Sequence, residues 1–242
     1  MLPTDDLQRY KRQLLIDGWD EKTQEKLKES HVFIAGSGGL GSPLLMYLAV
    51  AGVGNLTVCD FDRVDLTNLN RQTLHNDRRI GMPKAESARL ALVALNPTIS
   101  ITALEEKITD QNAERLTGRA DILVDCLDNV DARHHLNAVA VKRHIPMVHA
   151  GITGLQGQIT FLHPPETPCL ACFFPERETK GPIPVLGATP GILGAMQAME
   201  TIKYLTGIGD NLRNRLLFFD GMDMNFATVK IARNPRCRAC GS

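Results

Sequence analysis

The chain has no excess of charge of either sign. Its 242 residues include 27 lysines and arginines and 27 aspartates and glutamates, so the formal net charge is zero. A protein that binds nucleic acid or an anionic membrane through its overall field carries a clear positive excess. The balance argues against both partners, and any anionic ligand must be held by a local group of basic residues.

Long hydrophobic runs are also missing. No apolar stretch approaches the roughly 20 residues that a spanning helix needs. The first residues, MLPTDDLQRYKRQ, lack the apolar core of a secretory signal. Six cysteines in such a chain favour a reducing compartment, and they favour metal or catalytic roles over a disulfide framework. We therefore expect a cytoplasmic protein with no membrane partner.

What the sequence does contain, from about residue 30 to 150, is a regular alternation of strands and helices. Apolar strands are predicted at 31–35, 56–60, 99–104, 122–126 and 146–149, and helices at 40–51, 84–95, 110–116 and 131–143. Asp110 is a candidate N-cap of the third of these helices. This order implies an α/β fold with a parallel, doubly wound, Rossmann-like sheet.

The pattern changes near residue 151. An alternating strand, a loop rich in proline and glycine over 164–190, an apolar helix over 190–205 and a hairpin with its turn near 220–223 follow one another. Antiparallel strands around one helix would complete the same sheet. We therefore predict a single domain over residues 1–242.

A glycine-rich turn follows the first predicted strand. Gly36, Gly38 and Gly41 satisfy the pattern G-x-G-x-x-G. The first glycine permits a tight turn, the second lets phosphate approach the backbone, and the third lets helix and strand pack closely. Asp60, at the tip of the second strand, could accept hydrogen bonds from ribose hydroxyls. The unit predicts nucleotide binding and alone favours NAD or FAD; a turn that serves only packing is the alternative.

The residues after Asp60 argue against a nicotinamide cofactor. Asn68, Arg71 and Gln72 lie just past the ribose-binding tip. A site for a triphosphate needs such groups, because arginine makes fixed bidentate contacts to phosphate oxygens. Lys84, at the start of the next helix, is a second candidate phosphate ligand, and a solvated lysine at a helix start is the alternative.

Two aspartates follow the fourth predicted strand. Asp125 and Asp128 lie at its carboxyl end, the edge at which open α/β sheets bind ligands. One of them could hold Mg²⁺ between phosphates. Asp128 could also cap the next helix, and the two roles are compatible.

The cysteines form two C-x-x-C pairs, Cys169 with Cys172 and Cys237 with Cys240. A single pair could be redox-active, but four thiolates at this spacing match a tetrahedral zinc site. Such a site would tie the tail to the proline-rich loop. Its role would be structural, because no position stays open for water. Cys59 and Cys126 lie in predicted strands and are expected to be small core residues.

Together these motifs resemble the ubiquitin-activating-type adenylyltransferases of the MoeB, ThiF and HesA type over nearly the whole chain. The segments that carry the resemblance are RYKRQ (9–13), GSGGLGS (36–42), DFDRVDLTNLNRQ (60–72), GMPKAESA (81–88), DCLDN (125–129), both cysteine pairs and GAMQAMETIKYLTG (194–207). The resemblance implies a use of ATP and Mg²⁺. The C-terminal glycine of a small ubiquitin-like sulfur carrier, which usually ends in Gly-Gly, would attack the α-phosphate. Pyrophosphate would leave an acyl-adenylate that is open to sulfur transfer.

The resemblance also implies roles for individual residues. Asp60 would hold the ribose, Gly39 would line the nucleotide, Asn68, Arg71 and Lys84 would bind phosphates, and Asp128 would coordinate Mg²⁺. Arg12 would reach into the partner subunit's site of a homodimer, like an arginine finger. Residues of about 30–150 would form the nucleotide-binding half, and residues of about 151–242 the carrier-binding and zinc half.

One departure from the family bears on the mechanism. Some members carry a cysteine in the loop after the first C-x-x-C pair, which forms a thioester or acyl-persulfide with the carrier. Here that loop reads FFPERETKGPIPVLGATPG (173–191) and has no cysteine. We expect adenylation without an enzyme thioester and with a separate sulfur donor. This favours a MoeB-like role in molybdopterin synthesis over routes to thiamine, cysteine or thiocarboxylate siderophores.

Two alternatives come from other functional classes. An NAD-dependent oxidoreductase would leave Arg71 and the cysteine pairs without a purpose. A non-catalytic scaffold that only binds a carrier would not need the set formed by Asp60, Arg71, Lys84 and Asp128.

Overall fold

The computed structural model describes residues 2–174, 181 and 183–241, and one sheet of eight strands forms its centre. The strands are His31–Ala35 (β1), Asn55–Cys59 (β2), Ser100–Leu104 (β3), Ile122–Asp125 (β4), Met147–Thr153 (β5), Gln156–Leu162 (β6), Arg215–Asp220 (β7) and Asn225–Lys230 (β8). Their spatial order is β3-β2-β1-β4-β5-β6-β7-β8. Pairing is parallel from β3 to β5 and antiparallel from β5 to β8. The predicted parallel sheet with an antiparallel continuation is confirmed.

Helices cover the faces of the sheet. They are Thr4–Arg9 (α1), Glu21–Glu29 (α2), Gly41–Ala51 (α3), Lys84–Leu95 (α4), Ala113–Thr117 (α5), Val130–Arg143 (α6) and Ala188–Thr206 (α7). The prediction of Asp110 as the N-cap of α5 is wrong. Asn112 accepts a hydrogen bond from the backbone N–H of Thr109 at 2.8 Å, which closes a turn and moves the helix start to Ala113.

The parallel strands are buried on both sides, which explains their continuous apolar sequences. In β1, Val32 and Ile34 face the layer that contains α3, α4 and α7, and Phe33 faces the layer that contains α5 and α6. All three side chains are inaccessible to solvent. Among the described residues no helix has the length and apolarity needed to cross a membrane.

The strand order reverses between β1 and β4. From β1 the chain runs outward through β2 to β3, and from β4 it runs outward the other way. A crevice opens where neighbouring strands send their connections to opposite faces, and open α/β sheets bind ligands there. Helix α7 braces this point, because Gln197 donates a hydrogen bond to the backbone oxygen of Asp125 at 2.8 Å.

Candidate nucleotide site and cysteine cluster

A cavity of about 600 Å³ opens at the carboxyl ends of β1, β2 and β4. Its volume lies within the range of about 300–1,000 Å³ that is typical of small-molecule sites. Most of the predicted nucleotide-site residues line it, namely Gly36, Gly38, Gly39, Asp60, Arg71, Gln72, Lys84 and Asp128. Residues far apart in the chain therefore meet at the point where the strand order reverses.

The glycine turn forms the floor of the cavity beside β1. Gly36 has φ +95°, and a Cβ at this position would lie 2.8 Å from the backbone oxygen of Cys126. A Cβ on Gly41 would lie 2.2 Å from the backbone oxygen of Gly36. The turn can therefore form only with glycine at both positions. Because α3 begins at Gly41, its free N–H groups lie at the cavity, where they suit an anion.

Asp60 is fixed by the residue that follows Gly36. One carboxylate oxygen accepts hydrogen bonds from the backbone N–H of Ser37 at 2.8 Å and from its hydroxyl at 2.9 Å. The other accepts from the backbone N–H of Asp62 at 3.0 Å. Burial raises the pKa of Asp60, and these donors and the charge of Lys84 oppose the rise. The result is a rigid acceptor at the cavity wall.

Two of the four basic residues that line the cavity within the described part of the chain, Arg71 and Lys84, were predicted from the sequence. The side chain of Lys84 is 8% exposed, and its Nζ lies 2.8 Å from an oxygen of Asp62, whose side chain is 46% exposed. The alternative of a solvated lysine is therefore wrong. Arg71 donates from Nη1 to the backbone oxygen of Thr67 at 2.8 Å and to the amide oxygen of Asn70 at 3.0 Å. Both cations are held locally while they line the cavity.

Gln72 presents an unmatched acceptor to the same space. Its side chain is buried, and Oε1 has no hydrogen-bond partner within the described part of the chain. Buried amide oxygens nearly always accept a hydrogen bond. A hydroxyl or amino group of a ligand in the cavity would satisfy this oxygen, so Gln72 fits the binding role predicted for it.

Asn68 and Arg12 lie outside the cavity wall. The side-chain oxygen of Asn68 accepts from the backbone N–H of Asp65 at 3.1 Å and completes the capping box of a short 3₁₀ helix. Its phosphate contact stays a prediction. Arg12 is exposed, and its neighbour Gln13 donates to the backbone oxygen of Ala51 at 3.1 Å. Ala51 ends α3 at the end opposite the glycine turn, so Arg12 does not join the cavity of its own chain.

The two aspartates after β4 have different surroundings. Asp128 lines the cavity, whereas Asp125 is inaccessible to solvent and lies beneath it. The capping role considered for Asp128 is wrong, because Asn129 caps α6 by accepting from the backbone N–H of Ala132 at 2.9 Å. Asp128 is therefore the one whose oxygens are available to a hard cation such as Mg²⁺.

Asp125 belongs to a buried network that sequence reasoning missed. Its Oδ2 lies 2.7 Å from Nδ1 of His149 and 3.9 Å from Nε of Arg133. Burial alone would raise the pKa of Asp125, but the charge of Arg133 and the hydrogen bond from His149 hold it below its ordinary value. Two signals were in the sequence. A histidine interrupts the apolar strand MVHA, and Arg133 lies three residues before the core residue Leu136.

The four paired cysteines meet in one cluster, which we call the cysteine cluster. Their sulfur atoms all lie within 4.8 Å of one another. Separations are 3.9 Å for Cys169–Cys172, 3.7 Å for Cys169–Cys237 and 3.4 Å for Cys172–Cys240. Tetrahedral zinc with bonds of about 2.3 Å would separate sulfurs by about 3.8 Å. The donor set therefore fits Zn²⁺ with no coordination position left open.

The other two cysteines are buried at the cavity. Cys59 ends β2, and burial together with the charge of Asp60 raises its pKa to about 12. Cys126 follows β4 rather than lying within it, and burial raises its pKa also. Both thiols are poor nucleophiles because the thiolate form is disfavoured. The predicted loop 173–191 supplies Ile183 and Val185 to the cavity wall, and residues 175–180 and 182 lie outside the described residues.

Comparisons with known proteins agree with this arrangement. The model of the ThiF family matches residues 10–239. The SAMP-activating enzyme E1 of Haloferax volcanii is 42% identical over 97% of this chain and 89% of its own length. The molybdopterin-synthase adenylyltransferase of Escherichia coli is 42% identical over 99% of this chain and 98% of its own. A crystal structure of E. coli MccB with ATP superposes with a TM-score of 0.83 at 25% identity, covering 90% of this chain and 68% of that one.

Proposed function

The chain belongs to the ThiF family and is an adenylyltransferase, and from this premise we propose that it adenylates the C-terminal glycine carboxylate of a small ubiquitin-like sulfur carrier. The observation that carries the proposal is the cavity itself. It gathers the glycine turn, the carboxylates of Asp60 and Asp128 and the cations of Arg71 and Lys84 around one space. The names of two relatives, one an adenylyltransferase of molybdopterin synthase and one an activator of SAMP, support a protein substrate.

The reaction brings two anions together. A carboxylate oxygen of the carrier attacks the α-phosphorus of ATP and forms a new O–P bond. The bond from that phosphorus to the bridging oxygen breaks, and pyrophosphate leaves with the electron pair. Fixed positive groups must offset the repulsion and stabilise the charge on the leaving group.

The residues at the cavity divide this work. Asp60 accepts from the ribose, and Gly38 and Gly39 let the phosphates approach the backbone at the start of α3. Arg71 and Lys84 bind phosphate oxygens, and Lys84 leaves Asp62 to do so. The geometry that supports these roles is their common placement at the cavity wall.

Three further groups complete the proposed nucleotide contacts. Gln72 accepts a hydrogen bond from the nucleotide through its unmatched oxygen. Asn68 binds phosphate through its amide, whose oxygen is committed to the capping box. Asp128 would hold Mg²⁺, which would supply positive charge to the phosphate oxygens.

Arg12 contributes from a second copy of the chain. It is exposed near the end of α3 that lies away from the glycine turn. An intramolecular contact with the cavity is therefore unfavourable, and a homodimer would bring the Arg12 of one subunit to the cavity of the other. The dimer is then part of the catalytic unit.

The cysteines take no covalent part in the proposed reaction. Four of them form the cysteine cluster, which would hold structural zinc, and Cys59 and Cys126 are buried with raised pKa values. No other cysteine exists in the sequence. The adenylate therefore passes to a separate sulfur donor without an enzyme thioester. We further propose that residues 1–242 form a single adenylation domain, with a nucleotide half at about 30–150 and a carrier and zinc half at about 151–242.

The test is carrier-dependent exchange of labelled pyrophosphate into ATP. We expect exchange with a carrier that ends in Gly-Gly and none with the same carrier lacking its last glycine. Absence of exchange with every carrier encoded beside the gene would favour the non-catalytic scaffold. Stabilisation by NADH but not by ATP in thermal unfolding would favour the oxidoreductase, because a ligand that binds only the folded state raises the melting temperature.

A further inference from the structure

Two buried side chains lie directly beneath the cavity, and a third, largely buried, lines it. Asp125 from the end of β4 and His149 from β5 are inaccessible to solvent, and Arg133 from α6 is 7% exposed. Asp125 and His149 are paired in the register of the two parallel strands, so their side chains lie on the same face. We call these three residues the buried clamp.

The buried clamp holds both backbone groups of one residue. The backbone N–H of Leu127 donates to Oδ1 of Asp125 at 3.0 Å. The backbone oxygen of Leu127 accepts from Nε of Arg133 at 3.0 Å and also from its Nη2. The next residue in the chain is Asp128, which lines the cavity. The clamp therefore fixes the backbone from which the Asp128 side chain projects.

The remaining contacts keep the buried clamp itself in place. Nδ1 of His149 donates to Oδ2 of Asp125 at 2.7 Å, which leaves Oδ1 for Leu127. The ring of Phe174 lies 5.3 Å from the ring of His149 and 5.7 Å from the guanidinium carbon of Arg133. Burying such a network is expensive for stability, and replacing it by apolar residues is often neutral or favourable. The effect of the network here is to hold the backbone of Leu127 in place.

We propose that Asp125, Arg133 and His149 are positioning residues that set the Asp128 carboxylate for Mg²⁺ at the nucleotide. This inference rests on the proposed function and deepens it. Groups that orient a metal ligand typically affect metal affinity about 10–100-fold when they are replaced. Asp125 and His149 are inaccessible to solvent and would act only through Leu127, whereas Arg133 also lines the cavity.

The experiment measures metal binding without turnover. Affinity for Mn²⁺·ATP is titrated in the absence of any carrier and followed by the EPR spectrum of Mn²⁺, and affinity for ATP in EDTA is measured beside it. The affinity for Mn²⁺·ATP divided by the affinity for ATP in EDTA, called the ratio below, isolates the contribution of the metal contact. Mn²⁺ is a suitable probe because carboxylates bind it as they bind Mg²⁺.

The variants probe each arm of the buried clamp. Asp125→Asn removes the carboxylate charge, and Arg133→Lys removes the pair of guanidinium hydrogen bonds to the backbone oxygen of Leu127. His149→Leu removes the hydrogen-bond donor to Asp125, whereas His149→Asn can restore a donor near the position of Nδ1. We expect the ratio to fall about 10-fold or more in the first three and to recover in His149→Asn. Circular dichroism checks that each variant is folded. If one variant does not fold, the variants at the other two residues of the buried clamp carry the test.

A double variant separates positioning from general damage. If the clamp acts through Asp128, then Asp125→Asn combined with Asp128→Asn binds Mn²⁺·ATP no more weakly than Asp128→Asn alone, because the two changes are not additive. Leu116→Ala, which opens the same apolar layer away from the clamp, lowers the melting temperature and leaves the ratio unchanged.

Other outcomes overturn the inference. Additive effects in the double variant, or a rise only in the KM for the carrier with unchanged Mn²⁺ affinity, exclude positioning of Asp128. A ratio that does not respond to Asp128→Asn itself removes the magnesium role from the proposed function, and the inference falls with it. A ratio that responds to Asp128→Asn but not to the clamp variants removes the inference alone.

Discussion

The cavity and the cysteine cluster bring distant residues together in different ways. The cysteine cluster uses four like side chains in two close pairs, and their sulfur atoms form a donor set that fits a metal ion. The cavity uses unlike side chains, and Asp60, Arg71 and Lys84 are already held by hydrogen bonds or an ion pair to other residues of the chain. One site thus has the donor set of a metal site, whereas several groups of the other are held in place before a ligand binds. Stability should depend mainly on the first site and activity on the second.

The largest expected effect is loss of the cysteine cluster. Cys240→Ser should abolish bound zinc and lower the free energy of unfolding by about 4 kcal/mol, since a cross-link over this length of chain contributes about that much in the chain-entropy model. Metal analysis and hydrogen exchange check this, and exchange should rise at 169–172 and 233–241 while the cavity stays protected. Cys59→Ser, outside the cluster, should retain the metal. An equal rise in hydrogen exchange at the cysteine cluster and at the cavity would contradict the view that the cluster mainly affects stability and the cavity mainly affects activity.

Loss of the Arg71 guanidinium should have the converse effect. Arg71→Ala removes a fixed charge from the cavity, so carrier-dependent exchange should fall about 100–1,000-fold. The melting temperature should change by less than about 2 °C, because the hydrogen bonds of the guanidinium go to Thr67 and Asn70 of the same loop. Arg89→Ala, on an exposed turn of α4, is the matched control with normal exchange. Near-normal exchange in Arg71→Ala would refute its assigned role.

A smaller effect is expected at Lys84, where stability and ATP binding are linked. Asp62→Asn removes the direct ion-pair partner of the buried ammonium and leaves only the more distant charge of Asp60, which should lower the free energy of unfolding by about 1–3 kcal/mol. Saturating ATP should recover most of this loss, because its phosphates replace the missing charge. Thermal unfolding with and without ATP measures the difference, and Glu86→Gln, the partner of Arg89, serves as control. An ATP-induced shift equal to that of the wild type would argue against phosphate binding by Lys84.

The smallest effect is a pH dependence at the back of the glycine turn. Burial lowers the pKa of His75 to about 4, and the charges of Lys84 and Arg79 act in the same direction. Between pH 6.5 and 4 the unfolded chain therefore binds a proton here that the folded protein does not. The free energy of unfolding should fall as the pH is lowered through this window. Urea unfolding of His75→Gln should show a shallower decline; identical slopes would show that His75 does not contribute.

Local sequence patterns predicted much of this molecule. Alternating strand and helix segments were enough for the parallel, doubly wound sheet of the nucleotide half, because βαβ units have one hand and short connections. Close spacing was enough for the cysteine cluster, since two C-x-x-C pairs have few other structural uses. Asp60 and the pair Asp125 and Asp128 could be placed near one edge because the carboxyl ends of parallel strands meet there, whereas the choice of Asp128 came from the family resemblance.

The remaining details depend on contacts that span the fold. Asp62 follows β2 and Lys84 begins α4, and the loop between β2 and α4 separates them in the chain. Sequence spacing therefore does not predict their ion pair. Arg133 and His149 meet Asp125 across neighbouring elements, and a charged residue on a helix is ordinarily expected in solvent. The cap of α5 was lost to a neighbouring asparagine, a competition between adjacent polar residues that sequence alone does not resolve.

The glycine turn implies unequal mutational tolerance at nearby positions. A methyl group on Gly41 would lie 2.2 Å from backbone that cannot yield, whereas one on Gly38 would lie 3.3 Å from the flexible side chain of Gln72. A saturation library sorted only for folded protein should therefore retain glycine at 41 and admit alanine at 38. The same library selected for growth that depends on the enzyme's activity should reject alanine at 38 too. The two selections together would separate positions where the backbone requires glycine from positions where the ligand requires it.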